Sequence, residues 1–174
     1  MTTEWLASAW PAGSWRTWLT DHGSLTRRLQ AHAPRFRVER LRQAIGRPHR
    51  DEGDMLGLPP RHHALIREVL LKDADTPLVF AHSVIPLDGL VGPWTALAGL
   101  GNKPLGAALF SNPRVGRHAL EYKLVDRRHP LYAGAVRHLA EPPRALWARR
   151  SRFTLEDHPI LVTEVFLPAT LGLR

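Results

Sequence analysis

Glu164 stands in an otherwise apolar run, Ile160-Leu161-Val162-Thr163-Glu164-Val165-Phe166-Leu167-Pro168. Read as a strand, the run puts Glu164 on the face of Ile160, Val162 and Phe166, while Leu161, Thr163, Val165 and Leu167 take the other. Neither face is polar, so the carboxylate is expected inside, where it needs a pairing cation, a hydrogen bond or a proton. Arg67 poses the mirror problem, because in Ala64-Leu65-Ile66-Arg67-Glu68-Val69-Leu70-Leu71 it shares a face with Leu65, Val69 and Leu71. A guanidinium there calls for a carboxylate or phosphate partner. The pattern by itself favours an internal Arg67–Glu164 pair, or an Arg67 that snorkels at a sheet edge; a ligand hydroxyl at Glu164 and a carboxylate or phosphate at Arg67 are the other readings. In Trp147-Ala148-Arg149-Arg150-Ser151-Arg152-Phe153, Arg149 falls on the aromatic-flanked face and is a candidate second anion ligand, whereas Arg150 and Arg152 read as surface arginines. Backbone amides at two expected helix starts, after Ser24 and around Pro104-Leu105, are further carboxylate donors, a signal every helix start shares.

These residues need elements to hold them. Residues 14–32 read as helical with a break at Asp21-His22-Gly23, and Ser24 as the N-cap of the second piece. Residues 35–45 alternate like a half-exposed strand. The stretch 46–60, rich in Gly, Pro, Asp and His, reads as a loop. Residues 64–71 and 78–86 read as a hairpin around 72–77, and 147–155 with 160–167 as a second around 156–159. Residues 88–110 read as two helical pieces, the first capped by Asp88 and the second with Pro104 at its first position. A strand is expected over 117–125 and a short helix over 129–139. Hairpins with helices gathered between them define an α+β class with an antiparallel sheet.

The 174 residues suit one domain over 1–174. With no cysteine, disulfides, thiolate nucleophiles and cysteine-based zinc sites are excluded. No apolar run approaches a membrane span, and the N-terminus lacks the pattern of a secretory signal, which points to the cytoplasm. The net charge of +8 is concentrated in residues 114–152, which carry ten basic and three acidic side chains. Such a patch fits a nucleic acid, an anionic small molecule or a solvated arginine-rich surface. The basic stretch lacks interleaved aromatics and a helix-turn-helix pattern, so no nucleic-acid partner is expected. Ten histidines invite a metal, but no His-x-x-x-His pair joined to a carboxylate occurs, and none is expected to bind one. No nucleophile elbow, Walker loop or dinucleotide fingerprint is present.

Short segments in order over nearly the whole chain resemble the chorismate pyruvate-lyase family of the ubiquinone pathway. They are Trp18-Leu19 through Ser24-Leu25-Thr26-Arg27-Arg28, Arg67-Glu68-Val69-Leu70-Leu71, Val84-Ile85-Pro86, Leu100-Gly101-Asn102-Lys103-Pro104-Leu105-Gly106, Leu109-Phe110, Leu146 through Arg152, and Thr163 through Pro168. The resemblance implies conversion of chorismate to 4-hydroxybenzoate and pyruvate without metal or organic cofactor. It also implies a single antiparallel sheet with helices enclosing an internal ligand site. Carried over residue by residue, it implies that Arg67 and the amides of Leu25 and Leu105 hold the ring carboxylate, and that Glu164 meets the ring hydroxyl. Arg67 and Glu164 then count as catalytic.

Two departures stand out. Members often carry arginine just before the Ser/Thr-Val-Ile-Pro segment where this chain has His82, so the pyruvyl carboxylate falls to His82 or Arg149. Leu25 replaces a methionine seen in some members, which a backbone contact tolerates. Nothing carries over onto the segment from about 117 to 144. The expected partners are chorismate and 4-hydroxybenzoate, bound by a monomer. The rival from another class is a non-catalytic effector-binding domain, since the ligand-sensing domains of some transcription regulators are similar in fold; residues 1–35 are too short and poorly patterned for the DNA-binding domain that normally precedes them.

Overall fold

The computed structural model describes residues 4–173. Its centre is one antiparallel seven-stranded sheet: β1 (Phe36–Gly46), β2 (Ala64–Asp73), β3 (Thr76–Pro86), β4 (Gly116–Arg117), β5 (Glu121–Asp126), β6 (Ala145–Leu155) and β7 (His158–Phe166). The order is β1-β2-β3-β7-β6-β4, with β5 also pairing β6. The two hairpins thus lie side by side, joined by the β3–β7 ladder. The turn of the second hairpin, Glu156-Asp157, has positive φ at both residues (49° and 63°), the backbone twist that suits a two-residue hairpin loop.

Helices cover both faces, which is why β2 and β3 are nearly continuous apolar runs while the edge strand β1 alternates. One face carries α1 (Arg16–Leu19), α2 (Leu25–His32), α4 (Leu87–Leu90) and α5 (Leu105–Ser111), with 3-10 turns at Gly13–Trp15 and Thr95–Gly99. Leu19, Leu25 and Leu29 pack there on Val69, Val79 and Phe166, and Trp94, Leu105 and Leu109 pack on Leu65, Ile85 and Phe153. The other face carries α3 (Arg50–Leu56) over Ile66, Val84 and Leu161, and α6 (Pro130–Val136) over Phe80, Val125 and Val165.

The α+β antiparallel expectation matches this architecture. Four local expectations are corrected. Within 46–60 lies α3: its first turn carries Asp51 and Glu52, the backbone N–H of His49 donates to Glu52 Oε2, and Gly57 ends it in the left-handed conformation. The composition that reads as a loop is thus capping chemistry at both ends of a two-turn helix. The strand expected over 117–125 is two strands, because β4 and β5 pair different stretches of β6. Asp88 lies inside α4 rather than before it, its side chain accepting from the Gly89 N–H. Pro104 is the N-cap of α5, not its first residue.

Candidate active site

A covered pocket lies between the sheet and the helices α2 and α5. Its floor is Ala81 and Ser83 of β3, with Arg67, Val69 and Leu71 of β2 on one side and Val162 and Glu164 of β7, then Arg149, Ser151 and Phe153 of β6, on the other. Gly23, Leu25 and Thr26 meet Pro104, Leu105 and Gly106 over the top, and Phe110 and Arg117 close the side. The hollow follows from side-chain size: two small residues on the middle strand stand between larger ones on its neighbours.

Arg67 is 1% exposed. Its Nη2 donates to the carbonyls of Gly101 (3.2 Å) and Lys103 (2.8 Å) at the turn before α5, while its Nε is buried with no partner. No carboxylate pairs with it among the described residues. Burial lowers its pKa, and the Arg40 charge adds to the effect. It is a buried cation without its anion, the arrangement an anionic ligand completes.

The internal Arg67–Glu164 pair is overturned by register. Arg67 lies opposite Ser83, and Glu164 opposite Ala81, so the two are separated by a whole strand and two residues of stagger. Strand spacing and rise place their Cα atoms about 12 Å apart. That span accommodates an aromatic ring with a polar group at each end. Glu164 is instead paired with its direct neighbour: Arg149 Nε donates to Glu164 Oε2 at 2.6 Å.

Arg149, fully buried, also donates from Nη1 to the carbonyls of Trp18 (3.1 Å), Leu19 (3.2 Å) and Asp21 (2.7 Å). It thereby caps α1, where carbonyls and the negative end of the helix meet a cation. Its Nη2 is buried without a partner among the described residues. The sequence reading placed Arg149 on the inner face; that it is a pairing and anchoring residue as well comes from tertiary contacts.

Leu25 and Leu105 lie where expected, each the first residue of its helix at the pocket roof. The Ser24 hydroxyl accepts from Arg27 N–H at 3.4 Å, so Ser24 is the cap the sequence suggests. The roof is tight: a Cβ on Gly106 would come within 2.9 Å of Thr26 Oγ1.

His82 is not in the pocket. It points to the opposite face, where Nδ1 lies 3.2 Å from Glu68 Oε1 and Nε2 lies 3.3 Å from Glu52 Oε1. Burial alone would lower its pKa, but the carboxylates of Glu52 and Glu68 on either side of the ring raise it to about 9. One residue of strand parity separates it from the pocket residue Ser83, so the proposed choice between His82 and Arg149 loses one member.

Arg117, on β4, is a pocket residue the sequence reading did not single out. Nη1 donates to the carbonyls of His22 (2.6 Å) and Gly23 (3.3 Å), and Nε to Ser151 Oγ (3.3 Å). Its guanidinium lies 5.4 Å from the Phe110 ring centre and 5.3 Å from that of Phe153. Burial lowers its pKa, opposed by the nearby Glu164 charge. The alternation Arg117–Leu120–Tyr122 is broken by a change of strand, so no periodicity marked it; the excess of positive charge in its segment did.

Three guanidiniums, those of Arg67, Arg117 and Arg149, and one carboxylate, that of Glu164, line the pocket. Its net charge of two positive units suits a small dianion.

Fold and pocket together define an α+β protein with one sheet and a covered, cationic small-molecule pocket. The chain belongs to the chorismate lyase family, which matches residues 4–172. It is 49% identical over 96% of its length to a probable chorismate pyruvate-lyase of Thiobacillus denitrificans, covering 90% of that protein. It is 44% identical over 99% of its length to the one of Methylobacillus flagellatus, covering 97%. Among solved structures, it is similar to a GntR-family transcriptional regulator of Bacillus cereus (TM-score 0.57, 12% identity, 78% of this chain and 94% of that one). The effector domain of PhnF from Mycobacterium smegmatis is also similar (TM-score 0.55, 14% identity, 84% and 89%). At these identities the likeness is one of fold.

Proposed function

We propose that this protein is a chorismate pyruvate-lyase, converting chorismate to 4-hydroxybenzoate and pyruvate in the first committed step of ubiquinone biosynthesis. Family membership supports the reaction, and the observation in the site that carries it is Arg67: a buried guanidinium with two carbonyl partners and, among the described residues, no partner for Nε and no counter-anion. No helix among the described residues is long and apolar enough to cross a membrane. We assign the protein to the cytoplasm, as a monomer whose whole chain forms one domain.

In this reading the ring carboxylate lies on Arg67 and the amides of Leu25 and Leu105, and the ring lies over Ala81 and Ser83. Glu164 receives the C4 hydroxyl on the oxygen that Arg149 leaves free. The second carboxylate, on the enolpyruvyl group, takes Arg117 with the spare Nη2 of Arg149 beside it. The chemistry needs little else. As the C3–O ether bond breaks, the C4 hydrogen moves to the enolpyruvyl methylene, which becomes the methyl of pyruvate, and the ring becomes aromatic. Holding the ether arm over C4 converts this into a favourably oriented intramolecular step. Glu164 orients the hydroxyl, since the transfer balances without an external base. The product keeps both the carboxylate and the hydroxyl that span Arg67 and Glu164, so it binds as well as the substrate and leaves slowly.

Purified protein incubated with chorismate is expected to yield 4-hydroxybenzoate and pyruvate in equal amounts. Binding of chorismate without turnover would overturn the lyase reading and leave an effector-binding protein, the role named for the structural neighbours.

A further inference from the structure

The sheet face opposite the pocket carries a second polar centre that the lyase chemistry does not use. A cross-strand row there runs through Arg42, Glu68, His82, Thr163, Arg150 and Glu121. Helix α3 lies against it and brings His49 and Glu52 to His82.

Glu52 and His82 are 2% and 3% exposed. Their atoms Oε1 and Nε2 approach to 3.3 Å, yet neither has a hydrogen-bond partner among the described residues, because the approach is off the direction a ring N–H requires. Two ligand atoms that each sit about 2.0–2.1 Å from a tetrahedral zinc ion stand about 3.3 Å apart. The spacing and misalignment thus suit a shared cation better than a shared proton. The other ring nitrogen, Nδ1, faces Glu68 Oε1 at 3.2 Å. A carboxylate behind the imidazole is the support that metal-bound histidines have, and it leaves Nε2 as the ligand atom.

His49 supplies the third donor. It is the N-cap of α3, three residues before Glu52, and its ring stacks on His82 with centres 5.4 Å apart and planes at 22°. Ligand atoms of His49, Glu52 and His82 all lie within 4.8 Å of one another. The backbone N–H of His49 holds Glu52 Oε2 at 2.9 Å, which turns Oε1 toward His82. His49 is half-buried, so it can adjust its ring and open a path from solvent.

We propose that His49, Glu52 and His82 form a binding site for a divalent transition-metal ion of the zinc class, oriented by Glu68, which fastens α3 to the back of the sheet. Two imidazoles and one carboxylate favour zinc or its first-row neighbours over magnesium or calcium, which prefer all-oxygen sets. A solvent molecule completes the tetrahedron. The ion plays no part in the lyase step, because the pocket is on the other face. The competing occupant is a proton on His82 between the two carboxylates, which zinc must displace.

The test is calorimetric titration of the chelator-treated full chain with zinc(II). One equivalent is expected to bind with micromolar or tighter affinity and to raise the melting temperature. The His49→Ala and Glu52→Gln variants should each bind at least about tenfold more weakly, while a His62→Ala/His63→Ala variant, altered at the exposed histidine pair, binds as the parent does. Should Glu52→Gln fail to fold, cobalt(II) added to the parent protein still decides, since a tetrahedral site gives intense visible bands and a solvated ion only weak ones. Absence of saturable uptake, uptake undiminished by His49→Ala, loss of uptake in the His62/His63 variant, or an octahedral cobalt spectrum would each overturn the proposal.

Discussion

Arg149 faces Glu164 across the β6–β7 ladder, and one guanidinium joins the Glu164 carboxylate to the last carbonyls of α1, those of Trp18 and Leu19. The same side chain therefore orders the pocket and holds the chain that leads into its roof. Arg149→Met removes the cation from a buried pair and uncaps α1. It is expected to destabilise the fold by roughly 3–5 kcal/mol, measured by urea unfolding. The double variant Arg149→Met/Glu164→Gln should recover part of that loss, because no unpaired carboxylate remains, without recovering turnover.

Glu164→Gln keeps an acceptor for the substrate hydroxyl and removes any capacity to take its proton. If the residue orients, kcat/KM should fall about tenfold, the scale of one weakened hydrogen bond of about 1–2 kcal/mol. A loss of about 10²–10⁴ would mark Glu164 as a general base. Steady-state kinetics with chorismate separates the two.

Arg67→Met exchanges stability against function. The guanidinium is buried without an anion, so a methionine of similar length should leave the unliganded protein as stable or more stable by about 1 kcal/mol. Turnover should fall by more than about a hundredfold, as the ring carboxylate loses a charged, hydrogen-bonding partner worth about 3 kcal/mol. Thermal unfolding and kcat/KM measured on one preparation check both halves. A large destabilisation would show Arg67 to be a strut between β2 and the turn before α5.

Gly106→Ala puts a methyl group where Thr26 Oγ1 leaves 2.9 Å. Something must then give at this contact, and the expected outcome is that the starts of α2 and α5 part, shifting the amides of Leu25 and Leu105. Retention of 4-hydroxybenzoate should weaken several-fold, read as a raised inhibition constant, with a stability loss of about 1 kcal/mol. Unchanged product affinity would separate the roof from carboxylate binding.

His129 gives the fold an acid-sensitive corner. It caps α6, its Nδ1 accepting from the Leu131 N–H at 3.3 Å. Burial, then the Lys123 charge, lowers its pKa to about 4, against the pull of Asp51. A depressed histidine pKa means that the unfolded chain takes the proton first. The stabilising contribution is therefore complete above about 6.5 and is lost as pH falls from there toward about 4. His129→Gln, which cannot charge, should flatten the decline in melting temperature over that window. An unchanged slope would place the acid sensitivity elsewhere.

Much of the site was legible in the chain itself. Strand parity put Arg67, Arg149 and Glu164 on inner faces, because burying a charge in an apolar run leaves a pattern that needs no knowledge of neighbours. Ser24 and Leu25 were legible as a cap and a helix start for the same local reason. Helix α3 was not, because its glycines, acids and flanking prolines match a loop in composition and differ from one only in the order of their capping roles.

What the sequence by itself determined is that Arg67, Arg149 and Glu164 face inward with their charges and which strands carry them; Arg150, expected at the surface, is instead buried on the other face between Glu121 and Asp51. Only the tertiary structure decided who meets whom. The β3 strand between β2 and β7 holds Arg67 and Glu164 too far apart to pair, and the β6–β7 register supplies Arg149 in its place. The same registers turn His82 to the far side and bring Arg117 in from a short strand at the end of the sheet order. The physical reason is that a residue's own strand pattern sets its face only relative to that strand. Which face becomes a pocket, and across what distance, depends on hydrogen-bond registers between segments distant in the chain.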